Sequence, residues 1–296
     1  MTNILEEKDW NILLRRIRDG KCTPFVGAGA CSGVLPLGSD VAKEWASKEW
    51  PGQIKYPEPD SDDLVKVAQY LAVQFDPMFP KEEILKRLKG IGPPNFDAPD
   101  EPHGVLADFP LPVYITTNYD EFMVQALKNR NKDPKRELCK WNKYIKDQPS
   151  IFDSGFRPTP ANPVVFYLHG HNEVPESLVL TEDDYISFLV NLSRNQNLLP
   201  PRVQEALAGT SLIFVGYKLA DWDFRVLFQG IISSTESTIS RISVTVQLPP
   251  TQQEMKIYQE KYFGELSKGM RVYWGTARKF AAELRNRWER FKEESK

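Results

Sequence analysis

Asn118, Asp120 and His169 each stand just beyond a short apolar run, and Gly27-Ala28-Gly29-Ala30 stands beyond another. A carboxamide, a carboxylate, an imidazole and a turn without bulky side chains form a set that can hold a phosphorylated ligand and move a proton on it. Gly27 and Gly29 let the backbone turn tightly and bring N–H groups against an anion. A helix starting there would add a favourable dipole of about 0.3–1 kcal/mol. The segment is not the usual dinucleotide fingerprint, because G-x-G-x-x-G would need glycine where Ser32 stands. With an ordinary pKa of about 6.5, His169 suits general-base work at neutral pH.

The same residues have plainer roles. Asn118 is a natural cap for a helix starting at Tyr119, and Asp120 gains from that helix's dipole without touching a ligand. Asp221 has a similar capping role before a helix over 222–232. His103 and His171 read as structural or supporting groups, and a metal held by His169 and His171 lacks further ligands. Cys31 reads as a buried, inert thiol.

The elements that must position these groups alternate. Helical spacing of Leu5, Trp10, Leu13, Leu14 and Ile17 predicts a helix over 4–19 ahead of the first strand, which runs into Gly27. Apolar and β-branched runs predict further strands at 113–117, 164–168, 211–215, 242–246 and 270–274. Between them lie helical patterns at 182–194, 201–208, 221–232, 252–263 and 276–291, with another after Asp120. Such alternation predicts an α/β fold: one Rossmann-like, doubly wound, mostly parallel sheet over 1–296, with its ligand beyond the carboxyl ends of the strands. Residues 37–105 read as a helical insertion, broken by a proline-rich connector at 51–59, and 129–162 as a loop-rich excursion.

Composition narrows the class. The chain has 296 residues, 41% of them hydrophobic, and its 38 basic and 40 acidic residues leave a net charge of −2. No global charge favours nucleic acid or an anionic membrane. Cys22, Cys31 and Cys139 are widely spaced and form no C-x-x-C pair, which argues against a disulfide framework and a cysteine zinc site and fits a reducing cytoplasm. The first residues are too acidic for a signal peptide, and no run reaches the roughly eighteen apolar residues of a membrane span.

Taken in order, Gly27-Ala28-Gly29, Thr116-Thr117-Asn118-Tyr119-Asp120, Leu168-His169-Gly170 and Gly216-Tyr217-Lys218-Leu219-Ala220-Asp221 resemble the sirtuin superfamily, and within it a zinc-less prokaryotic branch. The resemblance runs from about residue 21 to 230, and the stretch around Pro102 and His103 is similar to the family's lead-in to the second strand. Two features of sirtuin deacylases are missing: the four zinc cysteines, of whose region only Cys139 remains, and an arginine after the glycine loop, where Val34-Leu35-Pro36-Leu37 stands.

The resemblance implies an NAD glycohydrolase of bacterial anti-phage defence, cleaving NAD to ADP-ribose and nicotinamide. Alternatives are a non-catalytic NAD or ADP-ribose sensor, or a deacylase or ADP-ribosyltransferase. It implies NAD as substrate, no metal, and a homo-oligomer or a separately encoded ATPase, translocase or sensor as partner. Breaking the ribosyl–nicotinamide bond passes through an oxocarbenium-like state that needs an oriented water and a proton acceptor. Asn118 and His169 are the expected catalytic pair. Gly27, Ala28, Gly29, Ala30, Thr117, Asp120, Gly216 and Tyr217 are expected to bind the nucleotide.

Overall fold

A computed structural model describes residues 4–57, 59–195, 198–217, 242–266 and 269–294. Seven strands form its sheet: β1 (Cys22–Val26), β2 (Val113–Thr116), β3 (Lys135–Leu138), β4 (Val164–Tyr167), β5 (Ser211–Val215), β6 (Ser243–Gln247) and β7 (Met270–Trp274). They lie in the order β3-β4-β2-β1-β5-β6-β7, and every neighbouring pair is parallel. Leaving β3 aside, this is the strand order of dinucleotide-binding α/β folds, in which the chain winds outward from β1 to one edge and returns to wind to the other. The reversal falls between β1 and β5, so a crevice opens beyond their carboxyl ends.

Strand residues are buried on both faces, as a parallel sheet covered by helices requires. Val165 and Tyr167 of β4 and Ile213 and Val215 of β5 pack on one side; Val164, Phe166, Leu212 and Phe214 pack on the other. The first side is covered by α1 (Glu7–Arg18), α5 (Pro102–Ala107), α6 (Phe122–Asn129) and the final helix α10 (Ala277–Glu294), through Leu13, Ile17, Leu106, Met123, Phe280 and Leu284. The second is covered by α7 (Glu182–Arg194), α8 (Pro201–Gly209) and α9 (Gln253–Leu266). Each fully buried side chain of this size contributes about 1.5–3 kcal/mol.

Three helices, α2 (Gly38–Ser47), α3 (Leu64–Gln74) and α4 (Phe79–Leu88), pack around their own apolar cluster of Val41, Trp45, Trp50, Val67, Leu71 and Ile84. Leu178 and Leu180 join this cluster from the segment after β4, and a largely buried Lys81–Asp184 ion pair of 2.9 Å ties α4 to α7. The helices thereby buttress the segment that runs beside His169.

One local reading gains detail and one is corrected. The stretch 129–162 is not only loop: Lys135-Arg136-Glu137-Leu138 forms an edge strand on β4. A polar edge strand lacks the apolar run that marks a central one, because one side is left to solvent. Second, no helix starts at the glycine loop. Ala28–Cys31 make only a short 3-10 turn, Ser32 is extended, Gly33 is left-handed at φ +86°, and α2 waits until Gly38, past Pro36. The dipole expected at Gly27 is therefore missing.

Candidate active site

The carboxyl ends of β1, β2 and β5 bring most of the expected residues into one hydrogen-bonded cluster. Gly27 and Gly216 continue β1 and β5; the N–H of Gly27 donates to Val215 O at 2.9 Å, and that of Gly29 to Gly216 O at 3.0 Å. Ala30 N–H donates back to Gly27 O at 2.9 Å. Three N–H groups of the expected phosphate cradle are thus taken up by the protein itself. The glycines are needed for a second reason, the close crossing of these two loops. A Cβ on Gly27 would lie 2.7 Å from the Tyr217 ring, and one on Gly29 would lie 2.9 Å from the Gly216 Cα.

Of Gly27, Gly29 and Gly216, the last is the most constrained. Its φ is +80°, and an added Cβ would run into Ala30 N and lie 2.6 Å from Gly27 O. Gly33 has a similar φ of +86° with nothing within 4 Å of its Cβ position. Gly33→Ala is therefore expected to lose about 1–2 kcal/mol, the cost of left-handed backbone alone, and Gly216→Ala about 3 kcal/mol or more, because overpacking adds to it. Urea denaturation of the two variants checks the order; equal losses would show that the loops part without cost.

Asn118 lies at the centre. Its backbone N–H donates to Thr116 Oγ1 at 3.0 Å, and Thr116 in turn donates to Val26 O at 3.1 Å. Its side-chain amide donates to Gly27 O and to Cys31 Sγ, both at 3.2 Å. Asn118 is therefore not the cap of the next helix, which starts only at Phe122; Asp120 Oδ1 accepts the Phe122 N–H at 2.9 Å instead. The other oxygen, Oδ2, accepts from the Cys31 thiol at 3.4 Å. The Thr117 hydroxyl is hydrogen-bonded by the Tyr217 hydroxyl, and Tyr217 O accepts from Gln247 at the end of β6 at 2.8 Å. Residues 218–241, with Asp221 and the helix expected over 221–232, lie outside the described residues.

His169 stands one strand over, at the end of β4. It is joined to the cluster through Val179, whose N–H donates to His169 O at 2.9 Å while Val179 O accepts from the Tyr119 hydroxyl at 2.6 Å. The ring meets the edges of Tyr185 and Phe188 at centroid distances of 5.4 and 5.1 Å. It is 3% exposed, and its Nε2 is buried without a hydrogen-bond partner among the described residues. Burial lowers its pKa to about 3, which corrects the expectation of an ordinary value of about 6.5. At neutral pH this is a neutral imidazole, better suited to accept a hydrogen bond than to hold a proton.

His171 takes a different part. It pairs with Glu121 and lies edge-on to Tyr167 at 4.6 Å. Burial alone would raise the Glu121 carboxyl, but the hydrogen bond and charge of His171, with Arg136, hold it below its usual range.

Three further residues lie beneath the site, of which only His103 was expected in a structural or supporting part. Cys31 Sγ lies 3.8 Å from His103 Nε2, and His103 Nδ1 is 2.7 Å from Glu101 Oε1. Cys31, His103 and Asp120 are a group of metal-ligand type among the described residues, with ligand atoms within 4.8 Å of one another. Each of those atoms is already hydrogen-bonded within the protein. Sequence gave no signal for Glu101, and Cys31 offered only its place after the glycine loop.

A family model described as a SIR2-like domain matches residues 112–266, more than half of the chain. The NAD(+) hydrolase ThsA of Cytobacillus dafuensis is 25% identical over 225 residues, covering 74% of this chain and 39% of that protein. ThsA of Acinetobacter baumannii is 26% identical over 160 residues, 54% of this chain and 29% of that one. Defense-associated sirtuin 2 of Bacillus subtilis is 25% identical over 269 residues, 86% and 23% respectively. The chain thus spans two fifths or less of the length of these relatives. A solved structure described under the mechanism and regulation of Sir2 enzymes covers 97% of this chain and 100% of its own, at a TM-score of 0.41 and 10% identity. Among the described residues no helix is long and apolar enough to cross a membrane.

Proposed function

Because the chain belongs to the SIR2-like family, we propose that it hydrolyses the nicotinamide–ribose bond of NAD, releasing ADP-ribose, nicotinamide and a proton, in bacterial anti-phage defence. The observation that carries this reading is Asn118. Its amide hydrogens are spent on Gly27 O and Cys31 Sγ, so its carbonyl oxygen is left to accept from a ribose hydroxyl or from the attacking water at the switch point of the sheet. Relatives named as NAD(+) hydrolases support the substrate.

The groups left open, Asn118 Oδ1 and His169 Nε2, are acceptors and suit the ribose hydroxyls of NAD. The dinucleotide lies across the β1–β5 crevice, bordered by Gly27, Ala28, Gly29 and Ala30 on one side and Gly216 and Tyr217 on the other. Thr117 and Asp120 border the ribose. Asn118 orients the water, and the buried Nε2 of His169 gains its missing partner from a ligand hydroxyl. Attack of water on the ribosyl carbon breaks the C–N bond and expels neutral nicotinamide; one of the water's two protons stays on the new hydroxyl of ADP-ribose, and the other passes by way of His169 Nε2 to solvent. No step needs a metal. In the cell the active form is a homo-oligomer or is controlled by a separately encoded ATPase, translocase or sensor, within the cytoplasm.

Incubating the purified chain with NAD and separating the products by chromatography tests this. Equimolar nicotinamide and ADP-ribose, absent with Asn118→Ala, are expected. NAD that binds but stays intact would point to a sensor or to an enzyme that awaits its partner, and ADP-ribose found on an added protein or peptide would point to a transferase.

A further inference from the structure

We propose that Glu101 and His103, acting through the Cys31 thiol, are positioning residues that set which way the Asn118 carboxamide faces. The inference rests on the role given to Asn118 above.

Four buried groups form a single string. Glu101 is 2% exposed, His103 1% and Cys31 3%. A carboxylate buried to that degree costs several kcal/mol unless it is paired and hydrogen-bonded. One oxygen of Glu101 accepts the Gly104 N–H at 2.5 Å, capping α5. Capping alone does not call for burial or for a second partner. The other oxygen accepts from His103 Nδ1, which fixes the tautomer and turns Nε2 toward Cys31 Sγ. The edge of the Phe122 ring, at 5.9 Å and 83°, closes the space beside the imidazole.

The sulfur then decides the amide. Burial and the nearby charge of Asp120 push the Cys31 pKa well up, so the group is a thiol, and its one hydrogen is claimed by two acceptors, Asp120 Oδ2 and the unprotonated His103 Nε2; either way the sulfur is left to accept from Asn118 Nδ2. A flipped carboxamide would set its oxygen against Gly27 O, acceptor to acceptor, and would leave the sulfur without its donor. With the string intact, one orientation remains, and it sends Oδ1 away from both. Glu101 and His103 hold the sulfur side of that choice from the lead-in to β2, while Gly27 holds the other side from β1.

The test uses Cys31→Ala, Cys31→Ser, His103→Gln and Glu101→Gln in the full chain, with thermal midpoints to confirm folding. The Asn118 side-chain amide protons are identified by NMR from their loss in Asn118→Asp, and their exchange with solvent is followed without any substrate. Exchange is expected to quicken at least about tenfold in Cys31→Ala and His103→Gln and to return toward wild type in Cys31→Ser. For NAD turnover, Cys31→Ala is expected to lower kcat by about 10–100-fold with KM within about threefold, and Cys31→Ser to recover most of it. Unchanged exchange and unchanged kcat in folded Cys31→Ala and His103→Gln would overturn the proposal, as would a change in KM alone. If Cys31→Ala does not fold, Glu101→Gln and His103→Gln carry the same comparison. Altered exchange in a chain that never cleaves NAD would uphold the positioning role while removing the hydrolase reading.

Discussion

His169→Ala is expected to lower nicotinamide release by about 1,000-fold or more, within the 10²–10⁴ range of a positioned acid–base group. The variant keeps β4 in place, since the His169 backbone still accepts from Val179, and the lost imidazole lies at the strand end between Tyr185 and Phe188. The pH profile makes the expectation sharper. A base of ordinary pKa would give kcat/KM an acid limb at about pH 6.5. With the free-enzyme pKa held down to about 3 by burial, the group is already neutral from pH 5 to 8, and kcat/KM should be flat there on its account. Initial rates at low NAD across that range, for wild type and His169→Ala, decide it. Wild-type turnover in the folded variant would remove His169 from the reaction; an acid limb at about 6.5 would show that the imidazole is less buried in solution.

The second large effect is on stability. In the unfolded chain His169 has a pKa of about 6.5; in the folded chain burial lowers it to about 3. The folded value is depressed, so the unfolded state takes up the proton first. The full stability is present above about pH 6.5 and is lost as the pH falls toward about 3, at roughly 1.4 kcal/mol per pH unit. Over that window the loss reaches about 4 kcal/mol, a large part of the 5–15 kcal/mol typical of a domain. Carboxylates titrate in the same range, so the useful quantity is the difference between wild type and His169→Gln in denaturant unfolding at pH 7, 6, 5 and 4. The gap should shift by that slope in favour of the variant as the solution is acidified. A constant gap would mean that the imidazole charges without leaving its site.

Much of the fold was legible from the chain alone. Runs such as Val164-Val165-Phe166-Tyr167-Leu168 are buried on both sides, and a run of that kind can only be an inner strand. Apolar spacing marked α1, α7 and α10 nearly to their ends, because a helix that covers a sheet must show one apolar stripe. The order of these elements was enough to infer a doubly wound sheet. Strand β3 escaped because Lys135 and Arg136 are exposed at an edge, where no apolar pattern is required. The glycine loop misled in a particular way: small residues at a strand end serve equally to admit a phosphate or a second loop, and only the approach of Gly216 and Tyr217 distinguishes the two.

The candidate site divides along the same line. Sequence order by itself determined that Asn118, Asp120, His169 and Gly27 stand at strand ends, since each directly follows the run that makes its strand. Whether a side chain is buried, what it touches and how it titrates depend on residues far along the chain. Cys31 meets His103 across 72 positions and Asn118 across 87, and the Tyr217 hydroxyl meets Thr117 across 100. Those contacts, together with the aromatic walls that hold His169 neutral, were decided by tertiary structure, because hydrogen bonding and desolvation act through space and not along the chain.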